Sequence, residues 1–133
     1  MFSSSAFDYI NVLDKAADAS WLRNSTLVNN IANATTPDYK RYDVDFQSLL
    51  EMELMESKYN RDLDSRVHNV HMNHLTAISK IDQSSDMFSY REDGNNVDIH
   101  LENVELASER LRYQGLTDSI SQEFMRMRTA LGK

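Results

Sequence analysis

The chain has 133 residues, a length that suits one domain. Its 14 Lys and Arg against 21 Asp and Glu give a net charge of −7, which argues against a nucleic-acid partner because phosphate binding needs clustered basic residues. The absence of cysteine excludes disulfides and thiolate metal sites. Three glycines and one proline argue against a many-turned β-sandwich or barrel and favour long helices.

Targeting signals are also missing from the sequence. The apolar runs are too short to span a membrane. The first residues lack the basic and apolar regions of a secretory signal. We therefore expect no direct membrane span and, if the protein leaves the cytosol, export without a cleaved signal peptide.

The N-terminal part, about 5–34, predicts one long helix. Its apolar residues recur at spacings of three and four, with Ser20 and Asn24 interrupting the stripe. The stripe consists of Ile10, Leu13, Ala17, Leu27, Ile31 and Ala34. A helix of this length is typical of a coiled coil or a bundle arm, and a plain amphipathic core helix is the alternative.

The C-terminal part, about 98–131, predicts a second long helix with two apolar faces. Leu106, Tyr113, Ile120 and Met127 follow at seven-residue spacing, and the first face is completed by Leu116, Phe124, Ala130 and Leu131. Val104, Ala107 and Leu111 begin the second face. Two apolar faces suit a helix with more than one neighbour.

The charges of this second helix complement its dipole, because acids crowd its start and bases its end. The acids are Asp98, Glu102, Glu105 and Glu109, and the bases are Arg126, Arg128 and Lys133. Glu105 and Arg112 are a candidate ion pair at heptad spacing, and a solvated surface is the alternative. Gly115 either admits a close neighbour or is simply tolerated in the helix.

The polar middle, about 35–97, contains a predicted short helix over 43–59. Phe46, Leu49, Leu50 and Leu54 form its apolar side, and Glu51, Glu53 and Glu56 are interpreted as a solvated face. Residues 60–96 fit short strands, loop or disorder. The alternation in 76–81 makes that segment the best strand candidate. A turn is expected over 92–96.

Three histidines, His68, His71 and His74, follow one another at three-residue spacing and are candidate metal ligands. Neither a helix nor a strand directs all three to one point, so we interpret them as polar loop residues, with zinc or nickel binding as the alternative. The sequence contains no phosphate-binding glycine loop, GxSxG or HExxH motif. We therefore predict no enzyme, catalytic residue, cofactor or metal site.

Together these patterns predict a mainly α protein with one domain over 1–133. Its long terminal helices are expected to pair as an antiparallel coiled coil around a middle with a short helix and an irregular or small-strand segment. One helical hairpin buries little apolar surface, so the unused faces predict assembly with partner subunits.

The helix end and turn at 27–42 carry the most specific motif of the chain. The segment 30–40 reads Asn-Ile-Ala-Asn-Ala-Thr-Thr-Pro-Asp-Tyr-Lys. It resembles the signature of bacterial flagellar rod and hook proteins, Asn-Leu/Ile-Ala-Asn-x-x-Thr-Pro-Gly-Tyr. The matching positions are Asn30, Ile31, Ala32, Asn33, Thr36, Pro37 and Tyr39.

Further segments make the chain most similar to the flagellar basal-body rod proteins, and among them to the proximal rod type. Residues 41–46, 94–98 and 111–116 resemble that type, and His74-Leu75 falls where it often has His-Leu. Asp38 departs from the family glycine. A type I turn over 36–39 is therefore favoured, and a left-handed Asp38 is the alternative. Asn33 is expected at the helix C-terminus, where it satisfies otherwise unpaired backbone groups.

The resemblance implies a structural subunit of the proximal rod, a hollow axle that transmits torque. It implies export from the cytoplasm through the flagellar type III export gate and a periplasmic position in the basal body above the inner-membrane ring. The implied partners are copies of itself, other rod proteins, and ring and rod-adaptor proteins. The terminal helices would polymerise through ten residues: Ile10, Leu13, Leu27, Ile31, Leu106, Tyr113, Leu116, Ile120, Phe124 and Met127. A cytosolic helical adaptor or export chaperone and a small histidine metal-binding protein are the alternatives.

Overall fold

The computed structural model describes residues 5–56, 62–81 and 94–132. Within them the order of elements is α1 (Ser5–Ala32), β1 (Tyr42–Val44), α2 (Gln47–Glu56), α3 (Leu63–His68), β2 (Ser79–Ile81) and α4 (Ile99–Ala130). None of the described helices is long and apolar enough to cross a membrane.

The two terminal helices form an antiparallel hairpin, as the sequence predicts. Asn30 near the end of α1 donates to Glu102 near the start of α4, and Ser20, earlier in α1, donates to Glu109, later in α4. The two helices therefore run in opposite directions. Leu27 and Leu106 are buried in this hairpin, at 0% and 8% exposure. The observed ends lie within two residues of the predicted ranges 5–34 and 98–131.

Helix α4 begins where an aspartate caps it. The side chain of Asp98 accepts hydrogen bonds from the backbone N–H groups of His100 and Leu101, which have no partner within the helix. Farther along, apart from the two adjacent residues and the backbone of α4 itself, no described atom lies within 4 Å of the position that a Cβ on Gly115 would take. Gly115 therefore faces open space in the isolated chain.

The middle segment is a small antiparallel ribbon with two short helices. Strand β1 pairs with β2, with Asp43 opposite Lys80, so the strand predicted within 76–81 is present at its C-terminal end. The helix predicted over 43–59 begins later, at Gln47, because residues 42–44 pair with β2 and Asp45 accepts from the N–H of Ser48. Helix α3 was not predicted. Residues 57–59 of the predicted helix, and 82–93 with the start of the predicted turn, lie outside the described residues.

One glutamate of α2 departs from the predicted solvated face. The side chain of Glu53 is 9% exposed, and its Oε1 lies 2.8 Å from Nδ1 of His74. Glu51 is exposed as predicted. Glu53 therefore helps to hold the turn around residue 74 against α2.

The turn after α1 has a left-handed aspartate, so the favoured type I turn is wrong. Asp38 has φ +58°, and the N–H of Tyr39 donates to the carbonyl of Thr36 at 3.2 Å. A Cβ added to Gly94 would lie 2.9 Å from Oδ1 of Asp38. Gly94, at φ +76°, can lie this close to Asp38 because it has no Cβ.

The left-handed backbone at Asp38 predicts how variants at this position rank in stability. Asp38→Val should lower the free energy of unfolding by about 1–2 kcal/mol, because a β-branched residue is strained at positive φ. Asp38→Gly should match or slightly exceed the parent chain, since glycine is free of that strain. Urea unfolding of the purified variants measures the series. A valine variant as stable as the glycine variant would contradict it.

Candidate functional site

The side chain of Asn30 is the centre of the junction between α1, β1 and α4. It is fully buried, at 0% exposure. Its amide donates to the carbonyl of Tyr42 at 2.7 Å and to Glu102 at 2.9 Å. Its Oδ1 accepts from the N–H of Tyr42 at 3.0 Å and from the hydroxyl of Tyr39 at 3.1 Å. Both donors and both acceptor positions of one amide are thus used, which fixes its orientation.

Two asparagines before α4 hold the extended segment that follows the turn. Oδ1 of Asn95 accepts from the N–H of Tyr39 at 3.1 Å, and Oδ1 of Asn96 accepts from the N–H of Arg41 at 2.8 Å. The amide of Asn95 also donates to the carbonyl of Ala34 at 3.0 Å. The extended segment after the turn is therefore satisfied by side chains that lie more than fifty residues away in sequence.

The end of α1 is closed by the next asparagine of the signature. The N–H and the side-chain amide of Asn33 both donate to the carbonyl of Asn29, at 3.1 and 2.8 Å. The carbonyl of Asn33 accepts from the N–H of Thr36 at 2.9 Å. Asn33 thus lies where the sequence predicts it and satisfies backbone groups that the helix end leaves open.

A chain of alternating charges runs from the junction along α4. Glu102 accepts from Nε of Arg41, Arg41 donates to Asp43 at 3.0 Å, and Asp43 accepts from Nε of Arg23 at 2.9 Å. Arg23 then donates to Glu109 at 2.9 Å, and this glutamate also accepts from the hydroxyl of Ser20. The side chains of Glu102 and Glu109 are 0% and 2% exposed.

These contacts favour the charged forms of Asp43 and Arg41. Burial alone would raise the pKa of Asp43, but hydrogen bonds from Arg23 and the Val44 N–H, with two guanidinium charges, lower it on balance. Burial lowers the pKa of Arg41, but the hydrogen bonds and negative charges of Glu102 and Asp43 together outweigh burial, so that pKa is raised. Every buried side-chain nitrogen and oxygen of the described residues has a hydrogen-bond partner.

Comparison with curated proteins decides the family. The chain is 33% identical over 122 residues to the flagellar basal body rod protein FlgB of Bacillus subtilis, with 92% of each chain covered. It is 30% identical over 128 residues to FlgB of Cereibacter sphaeroides, covering 93% and 94%. FlgB of Aquifex aeolicus is 30% identical over 111 residues, covering 81% and 80%.

The chain belongs to the FlgB family of flagellar basal-body rod proteins. These three relatives are named as components of the rod, and none of the names includes an enzymatic activity. No protein-family model matches the chain. Recognition of the rod family from the signature is therefore confirmed by relatives that span most of the sequence.

The signature residues have different structural roles in this FlgB-family chain. Asn30 and Tyr39 belong to the hydrogen-bonded junction. Thr36 and Pro37 are exposed and form the turn, and Ala32 is exposed at the end of α1. The motif therefore combines one buried bonding centre with a surface turn.

The ten residues predicted for assembly are divided in their exposure within one chain. Ile10, Leu27 and Leu106 are buried. Leu13, Ile31, Leu116, Ile120 and Met127 are partly exposed. Tyr113 and Phe124 are 37% and 55% exposed. Their burial between subunits stays a prediction.

Sequence reasoning missed the role of the glutamates on α4. Glu102 and Glu109 were interpreted as part of a dipole-complementing or solvated acidic start, and both are buried ion-pair partners. The candidate Glu105–Arg112 pair is not formed, because Glu105 bonds Arg23 at 3.1 Å and Arg112 lies 3.9 Å from Glu109. The sequence spacing carries the signal for this burial. Glu102 lies four residues before Leu106 and Glu109 lies three residues after it, so both share the buried face of the helix with that leucine.

The three histidines point to partners on different elements. Nδ1 of His68 lies 2.7 Å from Asp8 on α1, and His74 contacts Glu53 on α2. The rings of His71 and His74 are 5.3 Å apart. Among the described residues, no group of three or more His, Cys, Asp or Glu is arranged to hold a metal ion.

Removal of one partner from the buried pair should destabilise the chain strongly. Arg41→Met is expected to cost about 3–5 kcal/mol, because Glu102 is left buried without its counter-charge. The matched control Arg112→Met should cost under about 0.5 kcal/mol, since that side chain is 53% exposed. Urea unfolding followed by circular dichroism measures both. Equal losses in the two variants would count against the network.

The lowered pKa of Asp43 predicts a loss of stability in acid. Because the folded pKa lies below the ordinary value of 3.8, the contribution is complete above that value and is lost as pH falls through the folded pKa. The unfolding free energy of Asp43→Asn should therefore fall less steeply below about pH 4 than that of the parent. Urea unfolding between pH 2 and 7 checks this, and parallel curves would contradict it.

Proposed function

We propose that this chain is a subunit that polymerises through its two terminal helices into the proximal part of the flagellar rod. The rod is proposed as a hollow, torque-transmitting axle above the inner-membrane ring and export gate. Membership of the FlgB family supports the rod assignment. The single structural observation that carries the polymerisation step is the exposure of large apolar side chains on both terminal helices.

These exposed apolar side chains lie on the outside of the hairpin. Residues two apart on a helix differ by about 200° in direction. Val104 and Leu111 follow the buried Glu102 and Glu109 by two residues, so they point away from α1. They are 66% and 72% exposed, and Trp21 on α1 is 63% exposed. Such surface favours burial against neighbouring subunits.

The proposed partners follow from this position in the rod. They are further copies of the chain, the other rod proteins, and the ring and rod-adaptor proteins beneath them. We propose that the chain reaches them through the flagellar type III export gate, without cleavage of a signal peptide. The cysteine-free sequence suits this route because no disulfide can form during passage.

The proposal predicts loss of motility without the gene product. A deletion strain should lack a rod beyond the inner-membrane ring, and the parent chain should restore it. Val104→Asp should accumulate to normal levels without restoring swimming, because a charge on the outer face opposes burial between subunits. Leu106→Asp is a poorer test, since Leu106 is buried within the single chain.

The control for this experiment is Asn103→Asp, which places the same charge on the neighbouring exposed residue. It should restore swimming. Swimming speed and electron microscopy of isolated basal bodies are the measurements. Normal flagella in the deletion strain would disprove the rod assignment and would favour a cytosolic adaptor or export chaperone.

A further inference from the structure

Most exposed residues of α1 form one continuous face that points away from α4. They recur at spacings of three and four along the whole helix, whereas Ser20, which bonds Glu109 of α4, and Leu27 are buried. This α1 outer face consists of Phe7, Asn11, Asp14, Asp18, Trp21, Ser25, Val28 and Ala32. Its largest side chain, Trp21, is 63% exposed.

Helix α4 has a matching face on the opposite side of the hairpin. Within the described part of the chain, α1 is the one element that α4 contacts. The residues that point away from α1 are all exposed and again recur at spacings of three and four. This α4 outer face consists of Leu101, Val104, Ser108, Leu111, Gly115, Asp118, Gln122 and Met125.

The two outer faces carry opposite exposed charges near their centres. On α1 the charged members are Asp14 and Asp18, and neither bonds another described residue. On α4 the exposed Arg110 and Arg112 stand on either side of the central leucine. Among the described residues, Arg110 has no bonded partner and Arg112 makes only a 3.9 Å contact with Glu109. The α1 outer face of a second copy therefore has the charge that the α4 outer face lacks.

The other charges near these faces do not cancel the match. Glu102 and Glu109 are buried and paired with arginines of their own chain, and Glu105 bonds Arg23 at 3.1 Å. Lys15 is half-buried and lies on a different side of α1 from its outer face. The exposed charge is thus negative in the middle of the α1 face and positive in the middle of the α4 face.

The charges and the apolar residues agree on one antiparallel alignment of these faces. When Trp21 lies opposite Ser108 of the next copy, Asp18 lies opposite Leu111, between the two arginines. A shift by one heptad would instead place Asp18 opposite Asp118. The further pairs in this alignment are Val28 with Leu101, Ser25 with Val104 and Asn11 with Asp118.

We propose that the α1 outer face of one copy of the chain packs against the α4 outer face of the next copy in this alignment. Hairpins that point the same way place α1 of one copy antiparallel to α4 of its neighbour, as the alignment requires. The two surfaces are different, so the contact is heterologous and can repeat in one direction. The inference rests on the proposed function, for which it names the subunit surfaces.

Engineered cysteines test this contact directly, because the parent chain has none. The double variant Ser25→Cys, Val104→Cys, produced in the deletion strain and oxidised in isolated basal bodies, should give a ladder of multimers on a non-reducing gel. Within one chain the two positions lie on opposite sides of the hairpin, so they cannot bond each other. The matched control Ser25→Cys, Leu111→Cys, one heptad farther along α4, should give no ladder.

Three results of this experiment would overturn the proposed contact. Dimers from Ser25→Cys or Val104→Cys alone would mean that like faces meet. A ladder from the control pair would mean that the helices align differently. No ladder from basal bodies of swimming cells would exclude the contact while leaving the rod assignment intact. A deletion strain that swims normally would instead remove the proposed function on which the contact rests.

Charge reversal gives a second measurement that does not depend on cross-linking. Asp18→Lys and Arg110→Glu should each reduce swimming speed, because each places like charges together, and the two in one chain should restore most of it. The matched control is Asn103→Glu, which adds a glutamate to an exposed residue of α4 beside its outer face and should not rescue Asp18→Lys. Failure of Arg110→Glu to rescue, or equal rescue by Asn103→Glu, would overturn the proposal.

Discussion

The ion pair between Arg41 and the fully buried Glu102 is the constraint on which the rest of the structure depends. A carboxylate at this depth is tolerated only when it is paired and hydrogen-bonded, and here it accepts from the guanidinium and from the Asn30 amide. Sliding α4 by one residue would turn Glu102 by about 100° and break both bonds. The pair therefore fixes the register of the hairpin, which apolar packing alone would specify loosely.

The same network makes the hairpin and the start of the middle segment one unit. Its members come from α1, from β1 and from the loop before α4, so none of these segments can leave without exposing an unpaired group in the others. Polar contacts therefore determine much of the register and packing inside the hairpin. Large apolar side chains such as Trp21 and Leu111 remain on the outside, where a packing partner can bury them.

The local patterns predicted what depends on neighbours in sequence. Helical periodicity located α1 and α4 within two residues, and Asn33 was placed correctly at a helix end. The misses depend on distant contacts. The local pattern assigns Glu109 to a dipole-complementing or solvated acidic helix start, because its partner Arg23 lies 86 residues away in sequence. The turn at Asp38 was assigned from propensity, whereas in the structure it packs against the distant Gly94.

A fixed hairpin register has a consequence for a polymer of the proposed kind. A subunit contact repeats regularly only if every copy presents the same outer surface in the same orientation. A heptad slip between the helices would preserve most apolar packing but would move the outer face of α4 by about 10 Å relative to α2. Glu102 and Glu109 are themselves one heptad apart, and such a slip would leave one of them without its arginine. The buried charges thus exclude the slipped form that would be most damaging to a regular assembly.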